Sequence, residues 1–295
     1  MRRILTALLA GVCLTFCAAD RARAEGIIAL TNQGTIVSFD SGTPNVINGN
    51  VGVTGLLGGD TLLGIDRRPQ NGLVYGVGTS GRIYTINTST GAATLVATSS
   101  IPPVGTSFGV DFNPVANRLR VISNTGQNLR INVEDGVAIN DGALNYNGTP
   151  AVNVTNAAYT NNFPGGSSTS LLDIDTNINT LVLQNPPNNG SLVTIGHLGV
   201  DPTAVGGFDI SGVTGFAYAA LQINTATFSQ LFRINLSTGA ATLIGTIGDG
   251  SFIVTGIAVP VGTSPVPEPM TLILFATGLA GVAAKVRRRR RDAGA

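Results

Sequence analysis

GRIYTINTSTGAATL at residues 81–95 returns almost unchanged as QLFRINLSTGAATL at residues 230–243. In each copy a short run of alternating apolar and polar residues leads through a Ser-Thr-Gly turn into a second apolar run, which is typical of a β-hairpin. Thinner versions of this hairpin unit lie at residues 34–40, 126–132 and 190–195. The repetition predicts an all-β chain that is built from recurring hairpins.

A second unit reads Gly, an apolar residue, Asp, and then a turn that contains Pro. It is clearest as GIDRRP at residues 64–69 and GVDFNP at residues 109–114. Weaker copies are the stretches 172–175, 207–210 and 256–260, the last of which lacks the Asp. The two units alternate at intervals of roughly 35–63 residues, in the range of a four-stranded propeller blade.

The repeats predict a β-propeller-like fold of about five four-stranded blades. The fourth blade is expected to carry the Gly/Ser-rich insertion at residues 161–170. The last copy of the second unit, at residues 255–259, is not followed by a hairpin unit. The first hairpin unit, at residues 27–40, is not preceded by a copy of the second unit. Because together they make one blade, we expect the two ends of the domain to close the ring. An open β-sandwich or solenoid is the alternative architecture.

Composition and charge exclude several protein classes. Only 11% of the 295 residues are charged and 43% are hydrophobic, which excludes a coiled coil and a highly charged disordered chain. Residues 25–264 contain seven arginines, no lysine and thirteen acidic residues, a net charge of −6. An acidic region without lysine is a poor candidate for binding nucleic acid, so no nucleic-acid partner is expected.

The first 24 residues have the organisation of a secretory signal peptide. Arg2 and Arg3 provide the positive start, residues 4–19 are mostly apolar, and an Ala-Arg-Ala sequence ends at Ala24. We expect signal peptidase to cut between Ala24 and Glu25, so that the mature chain begins at Glu25. An uncleaved N-terminal membrane anchor is the alternative.

The C-terminal region carries a second targeting pattern, a Pro-Glu-Pro motif followed by an apolar run and a basic cluster. We expect residues 261–269 to be a linker, 270–286 a transmembrane helix, and 287–295 a cytoplasmic tail, because basic residues stay on the cytoplasmic side. The motif residues are Pro267, Glu268 and Pro269, and the basic residues of the tail are Arg287, Arg288, Arg289, Arg290 and Arg291.

This order of motif, short apolar helix and arginine cluster resembles the PEP-CTERM sorting tag of Gram-negative bacteria. The resemblance implies processing by an exosortase, a membrane protease, with the cut near the Pro-Glu-Pro. It also implies an inner-membrane anchor with the domain in the periplasm before processing, and a cell-surface or extracellular location afterwards. The genes of such proteins typically lie with genes for extracellular polysaccharide. The candidate partners are therefore signal peptidase, exosortase and an exopolysaccharide.

The region between the two signals also resembles a family, an uncharacterised bacterial domain of unknown function that is common in PEP-CTERM-tagged proteins. The resemblance covers residues 26–260 and rests on the Gly-x-Asp-x-x-Pro turns, on QNPPNNG at residues 184–190 and on GFDI at residues 207–210. It implies a propeller-like fold and supplies no activity. We therefore treat residues 25–260 as one repeat domain.

The sequence offers few groups for catalysis. His197 is the one histidine of the chain, so no His-based triad or metal site can form, and we expect His197 on a loop or strand surface. Paired carboxylates can hydrolyse glycosides. Since the candidate carboxylates recur in one repeat context, we expect them to be structural, each accepting backbone N–H bonds two residues further on. These candidates are Asp66, Asp111, Asp173, Asp175 and Asp209.

The stretch from Asp173 to Asn179 resembles a calcium loop, because oxygen-bearing side chains stand at every second position. However, Ile178 stands where a glycine is expected and Gln184 stands in place of the final Glu. We therefore expect a hairpin turn here, and we assign no metal, cofactor or catalytic residue.

Together these observations predict an exported, non-catalytic propeller that serves as a binding or structural component of the cell surface or extracellular matrix. The alternative is a secreted carbohydrate-active hydrolase that uses the aspartate carboxylates.

Overall fold

The computed structural model describes residues 24–224 and 226–263. Contacts between Cα atoms divide the chain into residues 1–262 and 263–295, and all but the first residue of the second unit lie outside the described part. Within the described residues the regular structure is β-strand, apart from a 3₁₀ turn at Pro187–Asn189. The all-β prediction is therefore confirmed.

Twenty of the strands in the described residues form five four-stranded antiparallel sheets, and two short strands form a separate hairpin. In chain order the strands are β1 (Gly26–Thr31), β2 (Thr35–Asp40), β3 (Thr43–Gly52), β4 (Leu62–Arg67), β5 (Val74–Gly78), β6 (Arg82–Ile86), β7 (Ala93–Thr98), β8 (Phe108–Asn113), β9 (Arg118–Ser123), β10 (Asn128–Ile131), β11 (Ala138–Asn140), β12 (Asn145–Tyr146), β13 (Thr149–Pro150), β14 (Val154–Tyr159), β15 (Leu171–Asp175), β16 (Thr180–Gln184), β17 (Leu192–His197), β18 (Pro202–Ile210), β19 (Ala217–Ile223), β20 (Ser229–Ile234), β21 (Ala241–Thr246) and β22 (Val254–Ala258).

The sheets are the blades of a five-bladed β-propeller, as predicted. Blade 1 has the strand order β22-β1-β2-β3, blade 2 β4 to β7, blade 3 β11-β10-β9-β8, blade 4 β14 to β17, and blade 5 β18 to β21. The inner strands are β22, β4, β8, β14 and β18, and each contacts the inner strands of the two neighbouring blades.

The two ends of the domain close the ring within blade 1. Strand β22 pairs with β1 in antiparallel fashion, so that Ile28 lies opposite Ala258 and Ala29 opposite Ile257. The pairing confirms the predicted closure and excludes an open sandwich or solenoid. It also removes two strand edges that would otherwise be free to pair with other chains.

The hydrophobic core is divided into five clusters, one at each interface between neighbouring blades. Between blades 2 and 3, for example, the rings of Tyr75 and Phe112 meet edge to face with their centroids 5.2 Å apart. Because both faces of each blade are covered, the inner and middle strands can be apolar on both sides. The burial of five interfaces thus holds the blades in one ring.

The repeated Ser-Thr-Gly turn docks blade 2 and blade 5 each onto the blade before it. In blade 2, Gly91 has φ +75°, and a Cβ at this position would overlap the carbonyl oxygen of Gly52 in blade 1. The Gly91 carbonyl accepts a 3.0 Å hydrogen bond from the N–H of Thr54. In blade 5, Gly239 has φ +80° and approaches the carbonyl of Gly196 in the same way. The turn therefore requires glycine for both its backbone angle and its close approach.

Blade 4 corrects one expectation. Residues 172–175, predicted to be a weaker copy of the unit that forms the inner strands of blades 2, 3 and 5, lie in the second strand of blade 4, β15. The inner strand is β14, where Asn156 and Ala158 occupy the positions that Gly and Asp hold in blades 2, 3 and 5. The insertion at residues 161–170 connects β14 to β15. Because the true inner strand lacks both signature residues, the sequence pattern pointed to the next strand.

Candidate functional site

Three of the candidate aspartates meet at the centre of the ring. Asp66, Asp111 and Asp209 hold the same position on the inner strands β4, β8 and β18, two residues after a glycine. All three are completely buried, and one carboxylate oxygen from each lies within 4.8 Å of the other two. We call this group the axial carboxylate cluster.

The cluster accepts hydrogen bonds from backbone N–H groups of the inner strands, each one residue after the position that the aspartates occupy. Asp66 accepts hydrogen bonds from the N–H of its neighbour Arg67 at 2.6 Å and of Phe112 in blade 3 at 2.7 Å. Asp111 Oδ1 accepts a 3.1 Å bond from the N–H of Tyr159 in blade 4. Each aspartate therefore ties its own blade to the next blade around the ring.

Asp209 completes the set by accepting bonds from the N–H of Ile210 at 2.6 Å and of Val259 in blade 1 at 2.7 Å. Blades 4 and 1 have Ala158 and Ala258 at the aspartate position. An alanine side chain cannot accept a bond from the N–H of the next blade. Asp66, which follows Ala258 around the ring, and Asp209, which follows Ala158, therefore also accept the N–H of their own strand, and each accepts two bonds. Three carboxylates thus satisfy five inward-facing N–H groups, one from each blade.

Six carboxylate oxygens face five N–H donors, so one oxygen is left over. That oxygen is Asp111 Oδ2, which is buried and receives no bond from a donor among the described residues. Ionised, it would face the other carboxylates without a donor; protonated, it can donate a hydrogen bond to Asp209. The geometry therefore favours a proton on Asp111 Oδ2.

Burial raises the pKa values of all three aspartates, and repulsion between carboxylates adds to this effect at Asp66 and Asp111. Burial, and then the charge of Asp209, hold the pKa of Asp66 well above its usual range. Burial, and then the charge of Asp66, do the same to the pKa of Asp111. Burial raises the pKa of Asp209 to about 7, against the lowering effect of its two backbone hydrogen bonds. The cluster can thus keep protons at neutral pH.

The oxygen donors of the cluster also suit a hard cation, since oxygens within 4.8 Å of one another can all contact one ion at the Ca²⁺–O distance of about 2.4 Å. Yet five of the six oxygens already accept N–H bonds. Beside the inner strands the axis holds a cavity of about 10 Å³, lined among others by Gly64, Gly109 and Gly207, which is room for about one water. Because all three aspartates are completely buried, no solvent-filled cleft among the described residues opens onto their carboxylates.

Asp173 and Asp175 lie elsewhere, on β15. Asp175 accepts bonds from the N–H groups of Asn177 at 2.9 Å and Ile178 at 3.3 Å, and from the hydroxyl of Tyr146 at 2.7 Å. The expected hairpin turn between β15 and β16 is therefore present. Asp173 is fully buried and, within the described part of the chain, accepts no hydrogen bond, and burial raises its pKa well above the usual range.

The expected bonding of the aspartates is therefore right for one residue and wrong for four, of which Asp173 accepts no hydrogen bond within the described part of the chain. Asp175 accepts the N–H two residues on, as expected. Asp66, Asp111 and Asp209 instead accept N–H groups of the adjacent residue or of the next blade. The physical reason is that each lies within a strand at the axis, where the nearest free donors belong to the neighbouring strand. His197 ends β17 and is exposed, in agreement with the prediction.

A buried arginine network was not recognised from the sequence. Arg120 on β9 is 1% exposed and pairs with Asp141 at 2.7 Å. Its guanidinium also donates to Asn188 at 2.9 Å and to the hydroxyl of Tyr159 at 3.2 Å, which connects blades 3 and 4. The available signal was a charged residue inside the apolar run 119–122.

The predicted processing residues divide between the described and undescribed parts of the chain. Ala24 is exposed and Glu25 is buried. The Pro-Glu-Pro motif, the apolar run 270–286 and the residues Arg287–Arg291 lie outside the described residues. Among the residues that are described, none belongs to a helix that is long and apolar enough to span a membrane.

Comparison with protein families confirms both resemblances. Residues 35–258 match the family described as Domain of unknown function (DUF4394), and residues 265–290 match the PEP-CTERM protein-sorting motif. No curated protein matches the chain significantly.

Several solved structures are similar to the chain. A structural genomics protein of unknown function from Bacteroides thetaiotaomicron VPI-5482 is 15% identical over 80% of this chain, with a TM-score of 0.48. Glutaminyl cyclase from Myxococcus xanthus is 12% identical over 70% of this chain and 92% of its own, with a TM-score of 0.43. The Dos1 propeller is 12% identical over 72% of this chain and 54% of its own, with a TM-score of 0.38. The chain spans 64% of the length of the Bacteroides protein.

Proposed function

The chain belongs to the DUF4394 family and carries a PEP-CTERM sorting motif, and from this premise we propose that it is an exported, non-catalytic propeller of the cell surface or extracellular matrix. In this proposal signal peptidase cuts between Ala24 and Glu25, and an exosortase cuts near Pro267-Glu268-Pro269. The intact chain is anchored transiently in the inner membrane by residues 270–286, with Arg287–Arg291 in the cytoplasm. Residues 25–260 form the released domain.

The axial carboxylate cluster is the observation that supports a non-catalytic role. A glycosidase needs two carboxyl groups beside a cleft that admits a sugar and a water. Asp66, Asp111 and Asp209 are completely buried, and five of their six oxygens accept backbone hydrogen bonds from the blades. Their use in joining the blades accounts for their presence without a reaction.

The surface supports an exopolysaccharide as the partner. A groove of about 610 Å³ in blade 5 is lined by Phe216, Arg233, Asn235 and Ser237, among others. The guanidinium carbon of Arg233 lies 3.3 Å from the centroid of the Phe216 ring. A guanidinium, an amide and a hydroxyl are groups that can hydrogen-bond to a sugar, and the Phe216 ring holds the guanidinium in place. We therefore place the polysaccharide contact in this groove.

A glycan-binding screen on the processed, exported protein tests the role. We expect binding to an extracellular polysaccharide, weakened about tenfold or more by R233A, which removes about 1.4 kcal/mol of binding free energy. R118A, which removes an equal charge from blade 3, is the matched control and should bind normally. Failure to bind any glycan would contradict the matrix role, and release of reducing ends would favour the hydrolase alternative.

Mass spectrometry of the exported protein tests the processing. The N-terminal peptide should begin at Glu25, and peptides from Arg287–Arg291 should be absent. An extracellular form that retains its C-terminal region would contradict exosortase processing.

A further inference from the structure

The residue at the expected start of the mature chain is built into the ring. Glu25 precedes β1, and its carboxylate crosses to blade 5, where it accepts hydrogen bonds from Ser211 Oγ at 2.6 Å and Thr214 Oγ1 at 2.9 Å. Only 6% of Glu25 is exposed. We call residues 211–215, the turn between β18 and β19, the clasp turn.

The backbone of Glu25 is bound as firmly as its side chain. The N–H of Glu25 donates to Ser41 Oγ at 2.9 Å, and the Glu25 carbonyl accepts from the N–H of Ser41 at 2.8 Å. The nitrogen of Glu25 is the nitrogen of the Ala24–Glu25 peptide bond. The bond that signal peptidase is proposed to cut is therefore held on one side by the folded propeller.

The clasp turn also holds the other end of the domain. The N–H of Gly212 donates to the carbonyl of Pro260 at 3.0 Å, just after β22. A Cβ on Gly212 would overlap the backbone of Asn162 and Gly262. One turn of blade 5 thus contacts both chain ends that close blade 1.

We propose that this clasp fixes the order of maturation: the signal peptide must be removed before the propeller closes, because closure withdraws the Ala24–Glu25 bond from signal peptidase. The inference rests on the proposed cleavage between these residues. A protease acts on a chain that it can draw out locally, and its rate on a folded protein follows the population of that opened state. Drawing out Glu25 breaks its bonds to Ser41, Ser211 and Thr214 together.

Cleavage leaves the clasp intact. Hydrolysis adds water across the Ala24–Glu25 amide, so that Ala24 gains a carboxylate and Glu25 gains an α-amino group. The new amino group can donate to Ser41 Oγ from the same nitrogen, while the Glu25 carboxylate stays on Ser211 and Thr214. A chain that is cut first can therefore close, whereas a chain that closes first keeps its signal peptide.

The test compares folded and urea-unfolded full-length precursor in detergent micelles, each treated with signal peptidase in the same low urea concentration immediately after dilution. We expect the folded wild type to resist cleavage and the unfolded wild type to be cut at Ala24–Glu25. Folded S211A/T214A should be cut about tenfold faster than the folded wild type, because it loses two side-chain hydrogen bonds to Glu25. S89A/T90A, which removes the same two kinds of hydroxyl from an exposed turn of blade 2, should behave as wild type.

Equal cleavage rates for folded and unfolded wild type would overturn the inference, and this comparison holds even if the double variant fails to fold. A folded S211A/T214A precursor as resistant as the wild type would also overturn the role of the clasp turn. If the unfolded wild type is not cut at Ala24–Glu25, the proposed processing site itself is wrong, and N-terminal sequencing of the product distinguishes this outcome from the others.

Discussion

Asparagine substitutions in the axial carboxylate cluster should separate one aspartate from the other two. Both oxygens of Asp66 accept backbone N–H bonds, and so do both oxygens of Asp209. Asp111 accepts one such bond through Oδ1, and its Oδ2 is the oxygen that best carries a proton. An asparagine has one acceptor oxygen and one NH₂ donor, and it therefore matches a protonated Asp111 but not Asp66 or Asp209.

The expected changes in the free energy of unfolding follow from these bonds. D66N and D209N each place an NH₂ group against a buried N–H that loses its acceptor, which costs about 1–3 kcal/mol per lost partner. D66A leaves the N–H groups of both Arg67 and Phe112 without the Asp66 acceptor, and should cost about twice as much. D111N keeps the bond from Tyr159 and puts a permanent N–H donor where Asp111 needs a proton, so its stability should lie between that of the wild type and a gain of about 1 kcal/mol.

Urea denaturation at pH 7, followed by circular dichroism, measures all of these changes. D135N is the matched control, because Asp135 lies in an exposed turn and accepts one bond from the N–H of Val137; it should change stability by less than about 0.5 kcal/mol. A D111N variant as unstable as D66N would refute the proton assignment and the bonding scheme on which it rests.

Further predictions concern protonation, cations and turn geometry. The pKa of Asp209 is raised from 3.8 to about 7, so between these two values the folded state holds a proton that the unfolded state releases. Stability should therefore fall as the pH rises from about 4 to about 7, by up to roughly 4 kcal/mol at 1.36 kcal/mol per pKa unit. Urea midpoints across this range measure the fall, and a rise would contradict it. EDTA should leave the melting temperature unchanged, whereas a melting temperature that rises with added calcium would place a cation among the carboxylates. G91A should destabilise the domain by more than about 1 kcal/mol, because residue 91 has a positive φ and the added Cβ would overlap the Gly52 carbonyl. G148A is the control: residue 148 also has a positive φ but has open space around it, so this variant should lose less stability in the same urea experiment.

The blade architecture could be read from the sequence because its determinants are local. The hairpin unit at residues 81–95 contains two strands and the turn between them. The turn requires a glycine, which is Gly91 in this copy and Gly239 in the copy at residues 230–243. A repeat of this kind predicts the number of blades, and the incomplete units at 27–40 and 255–259 predict the closure. Blade 4 was misjudged because Asn156 and Ala158 replace its signature residues, although packing still makes β14 an inner strand.

The sequence by itself determined the strands, their turns, the ring closure and the sorting motif, since each is specified within a short stretch of chain. Only the tertiary structure decided what the acidic residues do. Asp66, Asp111 and Asp209 are distant in sequence, and they meet because the same register on three inner strands brings them to one axis. Glu25 reaches Ser211 across 186 residues for a similar reason, since ring closure places β1 beside blade 5. Contacts between blades depend on how the repeats are arranged around the axis, and no single repeat contains that information.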